Sequence, residues 1–157
     1  MRVSVQPNPW ILAPLALAAC AFAVPYCLTH GALPIGIALD RAFALICHQR
    51  PERCFFIFGA PVAVCARCVG IYLGAAVGLL LQTSRRIAVR WLMIAAAINT
   101  LDAMSELAGL HGNWMLVRFA FGMMLGAAGA MLIASSVARV PPAEGSSTLR
   151  TYRWTRT

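Results

Sequence analysis

Lysine is absent from this chain, and charge of either sign is scarce: only 11% of the 157 residues are charged. A soluble domain of this size carries roughly 25%. Too few charges are present to cover a water-facing surface, so the surrounding solvent must be largely lipid. Acids are scarcest, at five against 13 basic residues, all of them arginine, for a net charge of +8. Those arginines are spread along the chain rather than gathered in one basic stripe, which excludes a nucleic-acid surface. A phosphate-binding glycine loop is missing too, because the glycines repeat along helix faces. The Cys-x-x-Cys-His signature is also lacking, since Val69 follows Cys68, and this excludes covalent haem attachment.

What the sequence does have is apolar length. Hydrophobic residues make up 61% of it. They gather in four runs near the ~20 residues that cross a bilayer, at about 10–29, 61–82, 87–108 and 113–137. A shorter segment, 33–46, is interrupted by Asp40 and Arg41. It carries Ile35, Leu39, Phe43 and Ile46 at helical spacing, which predicts a helix lying in the interface or re-entering the membrane. The expected fold is therefore an all-α polytopic membrane protein: four transmembrane helices plus that short helix, in one domain over 1–138. Pro61 suits the first turn of the second span. From 139 to 157 the composition turns polar and predicts a disordered basic tail. Leu17-Ala18-Ala19-Cys20 has the form of a lipoprotein cleavage box, but the apolar run continues to Tyr26, so Cys20 and Cys27 are expected as small apolar members of the first span.

Gly70, Gly74 and Gly78 repeat every fourth residue in the second span, and Gly122 and Gly126 do so in the last. Such stripes let helix backbones approach closely in lipid, within one chain or between copies in an oligomer. Orientation follows from arginine counts. With both termini in the cytoplasm, Arg2, Arg85, Arg86, Arg90, Arg139, Arg150, Arg153 and Arg156 lie inside, and Arg41, Arg50, Arg53 and Arg67 outside. The positive-inside rule favours that arrangement, and the expectation is a multi-pass protein of the bacterial inner (cytoplasmic) membrane.

Two features are chemically expensive in lipid. Asn99, Asp102 and Glu106 share one face of the third span, and Arg118 lies early in the fourth. An ionisable group at a span's centre costs ~3 kcal/mol on insertion scales, so it marks pairing or function. An Asp102–Arg118 ion pair joining the two helices is the plain expectation. The alternative is that these groups, with Arg67, His111 and Asn113, form an outward pocket that binds a small or lipid-linked anion. The second feature is a set of thiols. Cys47-His48 and Cys65-Ala66-Arg67-Cys68 together give Cys₃His, a common closed ligand set for zinc and one that suits other thiophilic metals. Thiol–disulfide exchange through Cys65 and Cys68 fits the same residues, as do structural disulfides, and Cys54 is a further thiol nearby. No catalytic residue is assigned.

Cys47-His48-Gln49, Arg50-Pro51-Glu52-Arg53, Pro61-Val62 and Cys65-Ala66-Arg67-Cys68-Val69-Gly70-Ile71-Tyr72 with Gly74 resemble a small membrane-protein family, domain of unknown function 2085. The likeness covers roughly 40–130 and extends to Asp102, Asn113, Arg118, Gly122 and Gly126. In that family the position of Cys54 is more often serine. The resemblance thus implies that Cys54 is dispensable, and it favours Cys₃His over a Cys47–Cys54 redox pair. It implies no activity or substrate.

Overall fold

The computed structural model describes residues 4–5, 9–110, 112 and 114–137. His111, Asn113 and the expected tail at 139–157 lie outside them. The described chain is mostly helical, with two small two-stranded sheets. Its elements are β1 (Ser4–Val5), a 3₁₀ turn at Pro9–Ile11, α1 (Leu12–Thr29), α2 (Leu33–Ala44), a second 3₁₀ turn at Pro51–Arg53, β2 (Cys54–Ile57), β3 (Ala60–Cys65), α3 (Ala66–Leu80), β4 (Leu81–Gln82), α4 (Arg85–Leu107) and α5 (Met115–Val137). β1 and β4 pair antiparallel and bring the start of the chain to the end of α3.

Three helices are long and apolar enough to cross a membrane: Pro9–Thr29, Arg85–Leu107 and Met115–Val137. Their bounds fall within two residues of the apolar runs in the sequence. The second expected span is different. Its helix covers only the 15 residues of α3, about 22 Å at 1.5 Å per residue. A typical hydrocarbon core is ~30 Å thick. Among the described residues the candidate helical spans therefore number three, with α3 a shorter apolar helix.

The missing turns are taken by a β-hairpin. Ile57 pairs with Ala60 and Phe56 with Pro61. Phe58 (φ 54) and Gly59 (φ 77) fill the two-residue turn. Positive φ at both central positions is the type I′ geometry that matches strand twist, and glycine adopts it freely. Pro61, expected in a first helical turn, thus lies in a strand instead. Val62, Ala63 and Val64 are each at most 2% exposed, with β3 packed on α1 and paired with β2. Non-helical backbone near a membrane is tolerated when protein covers it in this way.

The 12 residues of α2 are too few to cross, as expected, and Leu39 and Phe43 of the expected face pack into the core. Gly36 and Phe43 are buried, whereas Ile35 and Ile46 are exposed. Gly36 lies against α1, where a Cβ would stand 2.8 Å from the tip of the Leu28 side chain.

The tightest packing joins α3 to α5. Gly70, Gly74 and Gly78 face the carbonyls of Phe119, Met123 and Ala127, while Gly122 and Gly126 face those of Arg67 and Ile71. A Cβ at any of these five would stand 2.1–2.3 Å from a backbone oxygen. Both stripes are therefore used up within one chain, backbone against backbone. Packing within one chain is thus the one of the two expected uses that the fold displays.

Candidate functional site

The site forms where α2, the hairpin and α3 meet. Cys47 follows the end of α2 and its N–H still bonds the Phe43 carbonyl at 2.9 Å. It is buried in a cluster with Phe43, Val62, Val64 and Val69. Cys65 ends β3 and is the residue before α3, and Cys68 lies in the first turn of that helix. The Cys65 N–H donates to Cys47 Sγ at 3.3 Å. Cys65 Sγ is 3.5 Å from Cys68 Sγ, which is 3.8 Å from Cys47 Sγ. All three sulfurs lie within 4.8 Å of one another.

Sulfurs sharing a tetrahedral zinc at ~2.3 Å stand about 3.8 Å apart, so the spacing fits a metal of that size. The donors fit as well, being soft thiols beside the positive end of a helix dipole, which favours thiolate. Hydrogen bonds from the Cys65 and Cys68 thiols hold the Cys47 thiol well below its ordinary range, against the opposing effect of burial. His48 is not in this group; it is exposed, one residue beyond a buried Cys47. Neighbouring side chains on a non-helical backbone point apart, which separates the two members of that pair.

Gln49 is the residue whose part the sequence did not reveal. It takes a left-handed conformation, φ 47. Its side-chain nitrogen donates to the carbonyls of Asp40 and Ala63, both at 2.8 Å, and to the Asp40 carboxylate at 3.1 Å. One amide thereby ties the end of α2 to β3 and fixes the loop that carries Cys47. Its place directly after Cys-His was the only signal available. Cys54, 1% exposed, pairs across the hairpin with Cys65. Its thiol donates to the Arg50 carbonyl at 3.2 Å, outside the three-sulfur group. Burial pushes that thiol up to about 11, with negative charge at Cys65 and Cys47 adding to the effect.

Alongside the sulfurs lies the charged layer, with its pairing exchanged relative to expectation. Asp102 pairs with Arg67, not with Arg118. Arg118 pairs with Glu106, which also holds Arg53 at 2.9 Å. The reason is the start of α3. With the helix beginning at Ala66, Arg67 stands at its N-terminal end and meets Asp102 near the C-terminal end of α4. Asn99 serves packing: its amide donates to the carbonyls of Ala95 and Phe121, each at 2.9 Å, and joins α4 to α5.

Comparison with known proteins agrees with the resemblance in the sequence. An uncharacterized protein of Methanocaldococcus jannaschii is 40% identical over 99 residues, covering 59% of this chain and 64% of that protein. The match thus spans just under two thirds of this relative's length. An uncharacterized protein of Methanothermobacter thermautotrophicus is 35% identical over 89 residues, covering 54% of this chain and 80% of that one. Both relatives are archaeal, and neither supports a bacterial assignment. No solved structure matches the chain. The model of the family described as predicted membrane proteins, DUF2085, matches residues 47–132, more than half of the chain and the stretch that holds every thiol of the candidate centre. The chain belongs to the DUF2085 family.

Proposed function

We propose that this is a multi-pass protein of the cell membrane that binds a thiophilic metal ion, zinc being the first candidate, through Cys47, Cys65 and Cys68. The observation that carries the reading is the mutual approach of three sulfurs drawn from two separate segments. A structural zinc site is closed by four protein ligands, whereas a working site keeps a position for water or a bound molecule. With His48 outside the group, the centre has three protein ligands, which favours an exchangeable or reactive metal over a purely structural one. Cys65 and Cys68 are half-buried rather than sealed, and this supports the same view.

The remaining parts of the reading follow from topology. Residues 1–138 act as one membrane domain. Arg85, Arg86 and Arg90 begin α4 at the end opposite Asp102 and Glu106. If those arginines face the cytoplasm, the thiols face outward, and both termini lie inside. Thiol–disulfide exchange is the competing use of the same residues, favoured by the 3.5 Å separation of Cys65 and Cys68. The burial of Cys54 away from Cys47 counts against a second exchanging pair.

Metal analysis of detergent-purified protein beside a Cys65→Ser/Cys68→Ser variant tests the reading. About one ion per chain is expected in the parent and almost none in the variant. Equal, negligible metal in both would refute it. Reversible thiol trapping of Cys65 and Cys68 in that metal-free protein would then support exchange.

A further inference from the structure

The charged layer holds more positive than negative charge. Among the described residues, three guanidiniums, those of Arg53, Arg67 and Arg118, pair with two carboxylates, Asp102 and Glu106. The carboxylates alone therefore leave one guanidinium charge unbalanced in a largely desolvated place. Arg118 is 4% exposed. Its Nε–H and that of Arg67 are both buried without a hydrogen-bond partner among the described residues. Unpaired buried donors of this kind cost about 1–3 kcal/mol each, so they call for an acceptor.

The backbone adds to the same imbalance. α3 and α5 both begin beside this layer, where α4 ends. Arg67 and Arg118 lie in the first turns of these helices, and helix N-termini favour anions. Arg53 and Glu106 keep 29% and 19% of their side chains exposed, which gives the layer a route to solvent.

From these observations we infer that Arg53, Arg67 and Arg118 form a binding site for a phosphate-type oxyanion, separate from the thiol centre. Guanidinium forks match phosphate and carboxylate alike. Here the three forks arrive from three elements: the Pro51–Arg53 turn, α3 and α5. A tetrahedral group with three or more acceptor oxygens serves three directions, whereas a planar carboxylate offers two. Asp102 and Glu106 have a defined part in this arrangement. They hold the guanidiniums in place and reduce three charges to one, so that the layer is stable when empty and still selects a negative ligand.

Free phosphate and a phospholipid headgroup share this chemistry, and the test separates them. The full chain in neutral detergent, treated with chelator and dialysed, is titrated calorimetrically with inorganic phosphate. In parallel, it is titrated in nanodiscs with phosphatidylglycerol against a phosphatidylcholine background. Saturable binding in the first arm identifies the free ion, and binding only in the second identifies the headgroup. Arg53→Gln cancels the surplus charge and is expected to weaken binding about tenfold, the loss of one charge-assisted contact. Glu106→Gln increases the surplus and is expected to tighten it. Helicity by circular dichroism checks that each variant folds. Arg53 is partly exposed on a short turn, so its variant decides the matter even if Glu106→Gln does not fold. Absence of saturable binding in both arms would overturn the site, as would an Arg53→Gln protein that binds as tightly as the parent.

Discussion

The α3–α5 seam and the thiol-bearing end of α3 are built from one continuous helix by opposite means. In the seam, five glycines remove side chains so that backbones touch. No titratable group takes part, and the order of glycines on two faces is the whole specification. Less than a turn from Gly70, the first turn of the same helix carries Arg67 and Cys68, and its neighbours add a buried thiol, two carboxylates and two further guanidiniums. Close packing in lipid needs small residues and tolerates no exceptions. Polar groups at the membrane's edge need partners, and they can exchange them. The seam therefore gives rigidity, and the end of the helix uses that rigidity to hold reactive groups in register.

The largest predicted effect lies in the seam. Gly74→Leu drives a side chain into the Met123 carbonyl, 2.1 Å from where its Cβ must stand. A loss of at least ~3 kcal/mol is expected, at or beyond the usual range for overpacking. Thermal unfolding in detergent followed by circular dichroism checks it, and a variant as stable as the parent would mean that the seam is loose.

A medium effect is expected at the thiol end, and it depends on pH. The Cys54 thiol titrates at about 11 when folded, against an ordinary 9.0. Its neutral form is thus favoured by the fold. That contribution is fully present below pH 9 and is lost as pH rises from 9 to 11, by roughly 2–3 kcal/mol. Cys54→Ser, which cannot titrate there, should flatten the alkaline limb of a stability–pH curve. An unchanged limb would assign the slope to another group.

The smallest effect sharpens the contrast from the seam side. Gly129 shares α5 with Gly122 and Gly126, yet nothing lies within 4 Å of a Cβ built on it. Gly129→Ala should stabilise the helix by up to ~1 kcal/mol through propensity alone. A destabilising result in the same unfolding assay would show that the tight seam extends further along α5.

These differences track what was legible in the sequence. Apolar length placed α1, α4 and α5, because helix length in lipid is set by membrane thickness. The glycine stripes were legible as packing, but not which helix each would meet. The hairpin was not read, because Phe58-Gly59 is not one of the Asn-Gly or Asp-Gly pairs that announce a two-residue turn. A continuous apolar run hides the switch of period, and Pro61 fits a first helical turn as well as a strand. The charged residues were picked out by their rarity, while their partners were not. Spacing gives depth along a helix, whereas pairing depends on rotation between helices and on where Arg67 falls once α3 begins. Three of the four expected ligands come together for a similar reason. Spacing joined Cys65 to Cys68 and could not tell which of two adjacent residues, Cys47 or His48, would turn inward.

β3 ends at Cys65 and α3 begins at Ala66, with no residue between them. The three-sulfur geometry is thereby set by chain length as much as by chemistry. Each residue of helix turns its side chain by about 100°. One residue inserted after Ala66 would keep every cysteine but lengthen the Cys65–Cys68 spacing, and it would swing Cys68 away from Cys47 or else turn the glycine faces off α5. The junction works as a calibrated hinge pin, and within this family the distance from the second cysteine motif to the first seam glycine should vary less than the residues that fill it.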